Sequence, residues 1–227
     1  SNVSHDLRTP LSIMRGYATM LAMVGQLNDQ QKNYLQQINN SIERMLNLVE
    51  NVLNLGRIEG GIDLQVEKLD LHQLVAQTVN ELQPQANQKK ILITTDLPPK
   101  DLPSPEADPA MLRQALHNLM DNAIKFSRPE GKVNIRVQAE AERVIFSISD
   151  TGIGISPMDQ PRVFEKFFRG GPQSSKAPRG FGLGLAIVKS IAERHYGQVW
   201  LESQLGKGST FHLAIPIQQP SPKKAKP

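Results

Sequence analysis

The stretch HNLMDNAIKFS, residues 117–127, lays two patterns over one helical period. At about 100° per residue, Leu112, Ala115, Leu116, Leu119 and Ala123 align as one apolar stripe. Asn118, Asn122 and Lys125, spaced four and three apart, form a second face roughly 100° around the axis, with Phe126 between the two. Two amides and an ammonium beside a core edge suit a metal and phosphates. Amide oxygens are hard ligands of the kind Mg²⁺ takes while keeping several waters. A solvated polar face would look the same in isolation.

The flanking residues extend the pattern. Asp108-Pro109 places a cap and a first-turn proline where a helix begins. Further on, VIFSISDTGIGI (144–155) puts Val144, Phe146, Ile148 and Asp150 on one strand face, so Asp150 points with the core side chains. A carboxylate there needs a donor, and the exocyclic amine of adenine is one; an Asp-Thr-Gly turn closing the strand is the plain alternative. Gly152 and Gly154 let backbone come close to a ligand. In RGFGLGLAIVKSIAERHYG (179–197), Gly180, Gly182 and Gly184, with Leu183 among them, run into a helix whose exposed amides favour an anion. It matches neither the P-loop nor the dinucleotide fingerprint. Upstream, VFEKFFRGGPQSSKAP (163–178) pairs an aromatic anchor with a composition typical of a mobile loop closing over a site.

Two grammars divide the chain. From about residue 62, helical segments such as DLHQLVAQTVNELQPQANQKK, capped by Asp70 with Gln73 in capping-box position, alternate with the strands VNIRVQA, VIFSISD, QVWLES and TFHLAIPI. That predicts an α+β sandwich, a mixed sheet covered by helices. Residues 1–58 instead predict a helical hairpin. Leu35, Ile38, Ile42, Met45, Val49 and Val52 step by three and four, as do Leu7, Leu11, Met14, Ala18 and Leu21. Between them GQLND makes the turn, with Asn28 or Asp29 as cap. Two helices bury too little alone, so a second copy completing a four-helix bundle, a homodimer, is expected. The expected organisation is a hairpin over 1–58, a glycine-bearing linker over 59–66, the sandwich over 67–217 and a disordered tail over 218–227.

Composition excludes more than it selects. No apolar run approaches the eighteen or so residues of a membrane span, so membrane attachment is expected only through a segment outside this chain, and the localisation expected is cytoplasmic. There are no cysteines and hence no disulfide frame. Lys223, Lys224 and Lys226 account for three of the 26 basic residues; the remaining 23 face 22 acidic ones, with no basic cluster to bind nucleic acid.

The chain opens on SHDLRTPLS, residues 4–12, where a histidine-aspartate pair precedes a proline on a heptad helix; His5 falls one step off the seam, on the flank. With this stretch, the segments resemble, in order, the boxes of the bacterial sensor histidine kinases. SHDLRTPLS is similar to the phosphoacceptor box, NLMDNAIKF to the asparagine box, and DTGIGI and GFGLGLAIVKS to the two glycine boxes. FEKFFRG resembles the phenylalanine box and GKGSTF the closing glycine-threonine motif, so the likeness covers residues 1–217.

The resemblance implies a Bergerat-type ATP-binding domain on a dimeric phosphotransfer bundle, with ATP and Mg²⁺ bound. Asn122 would ligate Mg²⁺, with Asn118 and Lys125 at the phosphates, Phe126 near the base and Asp150 accepting from adenine. Gly152 and Gly154 would shape the base pocket. Gly180, Gly182, Leu183 and Gly184 would hold the phosphate end, with Arg169 reaching in from the lid and Thr210 supporting the adenine end. His5 would accept the γ-phosphoryl group, Asp6 would fix its tautomer, and Thr9 would orient a water against a phosphoaspartate on the response regulator. Asp6 departs from the glutamate usual in the family, and Phe181 from a small residue. Pro10 removes the helical partner of the Asp6 carbonyl, so a kink is expected beside the pair. His72, His117, His195 and His212 are expected to be structural. The rivals are an ATPase of the same fold with no phosphorylated histidine, and a nucleotide-binding scaffold acting only as a phosphatase.

Overall fold

The computed structural model describes residues 3–61, 63–99, 104–140, 142–170 and 180–218, without the side chains of residues 3–6. The chain divides into two compact units, residues 1–60 and 61–227.

The first unit is a helical hairpin, α1 (Val3–Met23) and α2 (Asp29–Glu59). α1 stays helical through Pro10. Asn28 caps α2 with a full capping box: its Oδ1 accepts from Gln31 N–H at 2.8 Å, and Gln31 Oε1 accepts from Asn28 N–H at 2.9 Å. Exposed ion pairs, Arg8–Glu50 at 3.5 Å and Arg15–Glu43 at 3.1 Å, join the helices but add little. Apolar packing decides more, and it splits the heptad seam in two. Leu11, Ala18 and Ile42 are buried inside the hairpin, while Leu7, Met14, Leu21, Ile38, Met45 and Val52 are 43–58% exposed. Each exposed set repeats every seventh residue, leaving a continuous apolar stripe on the outside.

In the second unit, β1 (Glu67–Lys68) pairs antiparallel with β3 (Glu106–Ala107). The main sheet has the order β2-β4-β5-β7-β6, from β2 (Leu92–Asp96), β4 (Lys132–Glu140), β5 (Arg143–Asp150), β6 (Gln198–Gln204) and β7 (Gly208–Pro216). Only β2 and β4 are parallel, so the sheet is mixed as expected. α3 (Leu71–Gln88), α4 (Pro109–Phe126) and α5 (Gly184–Arg194) pack on one face, over Val133, Ile135, Phe146, Ile148, Leu213 and Ile215. The other face is polar, with Arg136 Nε on Asp96 at 2.7 Å and Trp200 stacked on His212 at 4.8 Å. α4 is central, and burial of Met120 and Ile124 widens its apolar stripe beyond the residues expected, because α4 meets α3 and α5 as well as the sheet.

Three histidines have structural bonds. His72 Nε2–H donates to Pro98 O at 2.9 Å, and His212 Nδ1 pairs with Ser147 Oγ at 2.9 Å. His195, fully buried, donates Nδ1–H to Ile191 O at 2.8 Å and accepts Asp108 N–H on Nε2 at 3.0 Å. Asp108 also caps α4, its Oδ1 accepting from Met111 N–H at 3.1 Å, and its Oδ2 accepts Gln65 N–H at 3.1 Å. One residue thus joins the incoming chain, the start of α4 and the end of α5.

Burial lowers the pKa of His195 below its ordinary 6.5, against the Ile191 carbonyl and the Asp108 charge, which favour the protonated ring. The unfolded chain therefore takes up the proton first, and the stability held above pH 6.5 is lost as the pH falls below it. Denaturation followed by the fluorescence of Trp200 should show a midpoint that is flat above about pH 7 and falls towards pH 5. His195→Asn should be less stable by roughly 1–3 kcal/mol at pH 7.5, with a shallower pH slope.

Candidate functional site along α4

α4 presents Asn118, Asn122 and Lys125, all half-buried, on the side its apolar stripe leaves open. Asn118 Nδ2–H donates to Gly184 O at 3.3 Å, which ties α4 to the start of α5 and leaves its Oδ1 as acceptor. Lys125 Nζ lies 3.0 Å from where a Cβ on Gly180 would be. Burial pulls the Lys125 ammonium below its ordinary 10.5; the Asp121 carboxylate opposes this, and the cations Arg169 and Lys89 add to it. Arg169 itself is exposed. A desolvated ammonium with other cations nearby favours an anion as partner.

At its last turn α4 meets the DTGIGI loop. Phe126 O accepts Ile153 N–H at 3.3 Å, Ser127 bridges to Gly152, and the Phe126 ring is 36% exposed. A Cβ on Gly152 would strike Phe126 O and approach Asp150 Oδ1 to 2.7 Å. Asp150 is buried and keeps the parity read from the strand. Its carboxylate is not unpaired: Gly152 N–H donates to Oδ1 at 2.8 Å, and Ser209 N–H also reaches it. Burial still outweighs both donors and raises its pKa above 3.8, so a further donor would stabilise the ionised form.

One expectation is at odds with the sheet register. Thr210 lies on the opposite side of the sheet from Asp150, its hydroxyl 2.9 Å from Ser149 Oγ. The residue of that motif beside Asp150 is Ser209, its register partner, buried and 2.9 Å from Ser203 Oγ. Strand alternation carried the signal: Phe211 is a core residue, so residue 209 shares its face and residue 210 cannot. The side chain of Leu183 is 1% exposed and packs in the core beneath the start of α5, so any contact with a nucleotide would be through its backbone.

The glycines differ in what they do. Gly182 has φ +69°, and a Cβ there would approach Phe168 O to 2.5 Å and Phe167 C to 2.7 Å. Its carbonyl accepts Phe167 N–H at 2.9 Å, so it locks the phenylalanine segment onto the glycine run. Gly154 passes close to the Gln204 carbonyl. At Gly184 a Cβ would meet only Asn118, at 3.7 Å or more. Among the described residues α5 starts without a side-chain cap, and the first turn of such a helix carries N–H groups with no helical partner.

On α1, Thr9 lies in an open depression with Arg8, Ser12 and Ile13. The backbone of His5 and Asp6 is helical; their side chains lie outside the described residues, and so does the flank position expected for His5.

The hairpin and the sandwich are both similar to domains of known proteins. A family model described as histidine kinase-, DNA gyrase B-, and HSP90-like ATPase matches residues 107–219, and the His Kinase A (phospho-acceptor) domain matches residues 1–61. With both domains in this order, the chain belongs to the sensor histidine kinase family. The circadian input-output histidine kinase CikA of Synechococcus elongatus is 40% identical over 222 residues, 96% of this chain and 29% of that protein. The chain spans about a third or less of that relative and of the drug sensory protein A of a Synechocystis species (34%). A crystal structure of full-length ShkA in complex with AMPPNP matches with a TM-score of 0.79 at 34% identity, over 95% of this chain and 44% of that one. Acinetobacter baumannii histidine kinase AdeS matches with a TM-score of 0.67 at 26% identity, over 94% and 98% of the two chains.

Gly182→Ala should lower the thermal midpoint and weaken adenine-nucleotide binding at least several-fold, since the left-handed backbone alone costs about 1–2 kcal/mol. Gly184→Ala should leave stability within about 0.5 kcal/mol. Melting curves with and without nucleotide check both.

Proposed function

We propose that this chain is the catalytic core of a sensor kinase that phosphorylates His5 from Mg-ATP and passes the phosphoryl group to an aspartate of a response-regulator receiver domain. The observation that carries this reading is a phospho-acceptor domain match over SHDLRTPLS ahead of the ATPase match, in one chain. An ATPase of the same fold without histidine phosphorylation has no use for the first domain. The complex of full-length ShkA with AMPPNP supports ATP as the donor.

In the proposed reaction a neutral ring nitrogen of His5 attacks the γ-phosphorus. The bond from that phosphorus to the bridging oxygen breaks, and ADP leaves with the electron pair. The other ring N–H of His5 donates a hydrogen bond to the Asp6 carboxylate, which stabilises the charge that develops on the imidazole. Asp150 receives the adenine amine, which would lower its raised pKa, while Gly152, Gly154 and Phe126 border the base. Lys125, Arg169, Asn118 and the amides at Gly180, Gly182 and Gly184 surround the phosphates. Among the described residues no cluster of three His, Cys, Asp or Glu forms a metal cage. The amide oxygen of Asn122 fits Mg²⁺, which would keep several waters and share phosphate oxygens. When bound, it neutralises phosphate charge. Thr9 orients water against the regulator's phosphoaspartate, giving phosphatase activity, and the regulator docks around the depression at Arg8 and Thr9.

We assign residues 1–58 to the phosphotransfer hairpin, 59–66 to the linker and 67–217 to the catalytic domain; the division between compact units at residues 60 and 61 supports this. The hairpin forms a homodimer, because the stripe of Leu7, Met14, Leu21, Ile38, Met45 and Val52 is too large an apolar surface to leave in water. No helix among the described residues is long and apolar enough to cross a membrane.

Incubation with γ-labelled ATP should give acid-labile, base-stable label that is absent in His5→Gln and reduced at least tenfold in Asp150→Asn. Retention of that label in His5→Gln would overturn the reading. Ile38→Glu combined with Met45→Glu should shift the sedimentation coefficient from dimer to monomer.

A further inference from the structure

The C-terminal end of α4, in the turn of Lys125, has the wrong polarity for an anion. Its last carbonyls carry the negative end of the helix dipole, about half an elementary charge, in the turn that bears Lys125 and Phe126. Ala123 O is taken by Ser127 N–H at 3.0 Å, but the next two carbonyls have no helical partner.

Lys89 lies across that end. Its Nζ donates to Ile124 O at 3.0 Å and to Lys125 O at 2.6 Å. The side chain is half-buried, where a charge is screened less than at the surface. Its backbone is fixed on both sides: Lys89 N–H donates to Ala86 O at 3.1 Å, and Lys89 O accepts Glu130 N–H at 3.0 Å. Beyond the left-handed Lys90, at φ 55°, Leu92 N–H donates to Gly131 O at 3.0 Å. The ammonium therefore reaches α4 from a turn that is itself fastened to the loop after α4.

We propose that Lys89 is a positioning residue for the nucleotide's phosphates: its ammonium neutralises the carbonyl end of α4 and fixes the turn from which Lys125 and Phe126 reach the pocket. This rests on the reading of that pocket as an ATP site. Lys125 senses Lys89, whose charge is among the causes lowering the Lys125 pKa. With Lys89 neutral, the carbonyl end would stand uncompensated in the turn that bears Lys125, and Lys125 would hold its proton to higher pH.

The test compares the 227-residue chain with Lys89→Met, Lys89→Gln and Lys89→Arg, using a non-hydrolysable ATP analogue with Mg²⁺. Lys89→Met and Lys89→Gln should bind about tenfold more weakly, with a larger loss at low ionic strength. Lys89→Arg should stay within about twofold of the unaltered chain, and the His5 labelling rate at saturating ATP should stay within about twofold in every variant. NMR titration should show the Lys125 ammonium titrating higher in Lys89→Gln than in the unaltered chain. Should Lys89→Met fail to fold, Lys89→Gln, which keeps an uncharged donor, decides. Binding within twofold for Lys89→Gln, or Lys89→Arg as weak as Lys89→Gln, overturns the proposal whatever the thermal midpoints. If the unaltered chain does not bind the analogue, the ATP-site reading falls first and this one with it.

Discussion

The rotation of α4 about its own axis is the constraint on which the rest depends. Leu112, Ala115, Leu116, Leu119 and Ala123 are all 1% exposed or less, held between the sheet and two helices. Turning the helix by one residue would bring Asn118 towards the core and a leucine into the pocket, at a cost of several kcal/mol in buried area and unpaired amide. No ligand is needed to aim Asn118, Asn122 and Lys125; the apolar stripe does it.

What the sequence showed and what it hid divide along the same line. Periodicity located α4, its Asp108 cap and the inward direction of Asp150, because each is a local property of one element. The heptads of the hairpin were equally legible, but one seam concealed two interfaces, since a 3-4 repeat does not say which half faces the sibling helix and which faces outward. Thr210 was misplaced by trusting a motif over strand parity. The grip of Lys89 on α4 joins residues 35 and 36 positions apart, and no periodic signal announces such a contact.

The pocket's electrostatics come from opposed helix ends. α5 offers open amides at its start, and α4 brings carbonyls at its finish. The first attracts an anion and the second repels it. Asp150 lies beside the last turn of α4, where Gly152 comes close to both its carboxylate and Phe126 O, and two N–H donors only partly offset its burial.

Asp108 ties three segments of the second unit together. Its side chain receives the backbone of residue 65 and the first turn of α4, while its own amide ends on the ring of His195. One buried carboxylate residue thus holds the start of one helix and the end of another in fixed relation, so the asparagines of α4 and the glycine run ahead of α5 share an anchor.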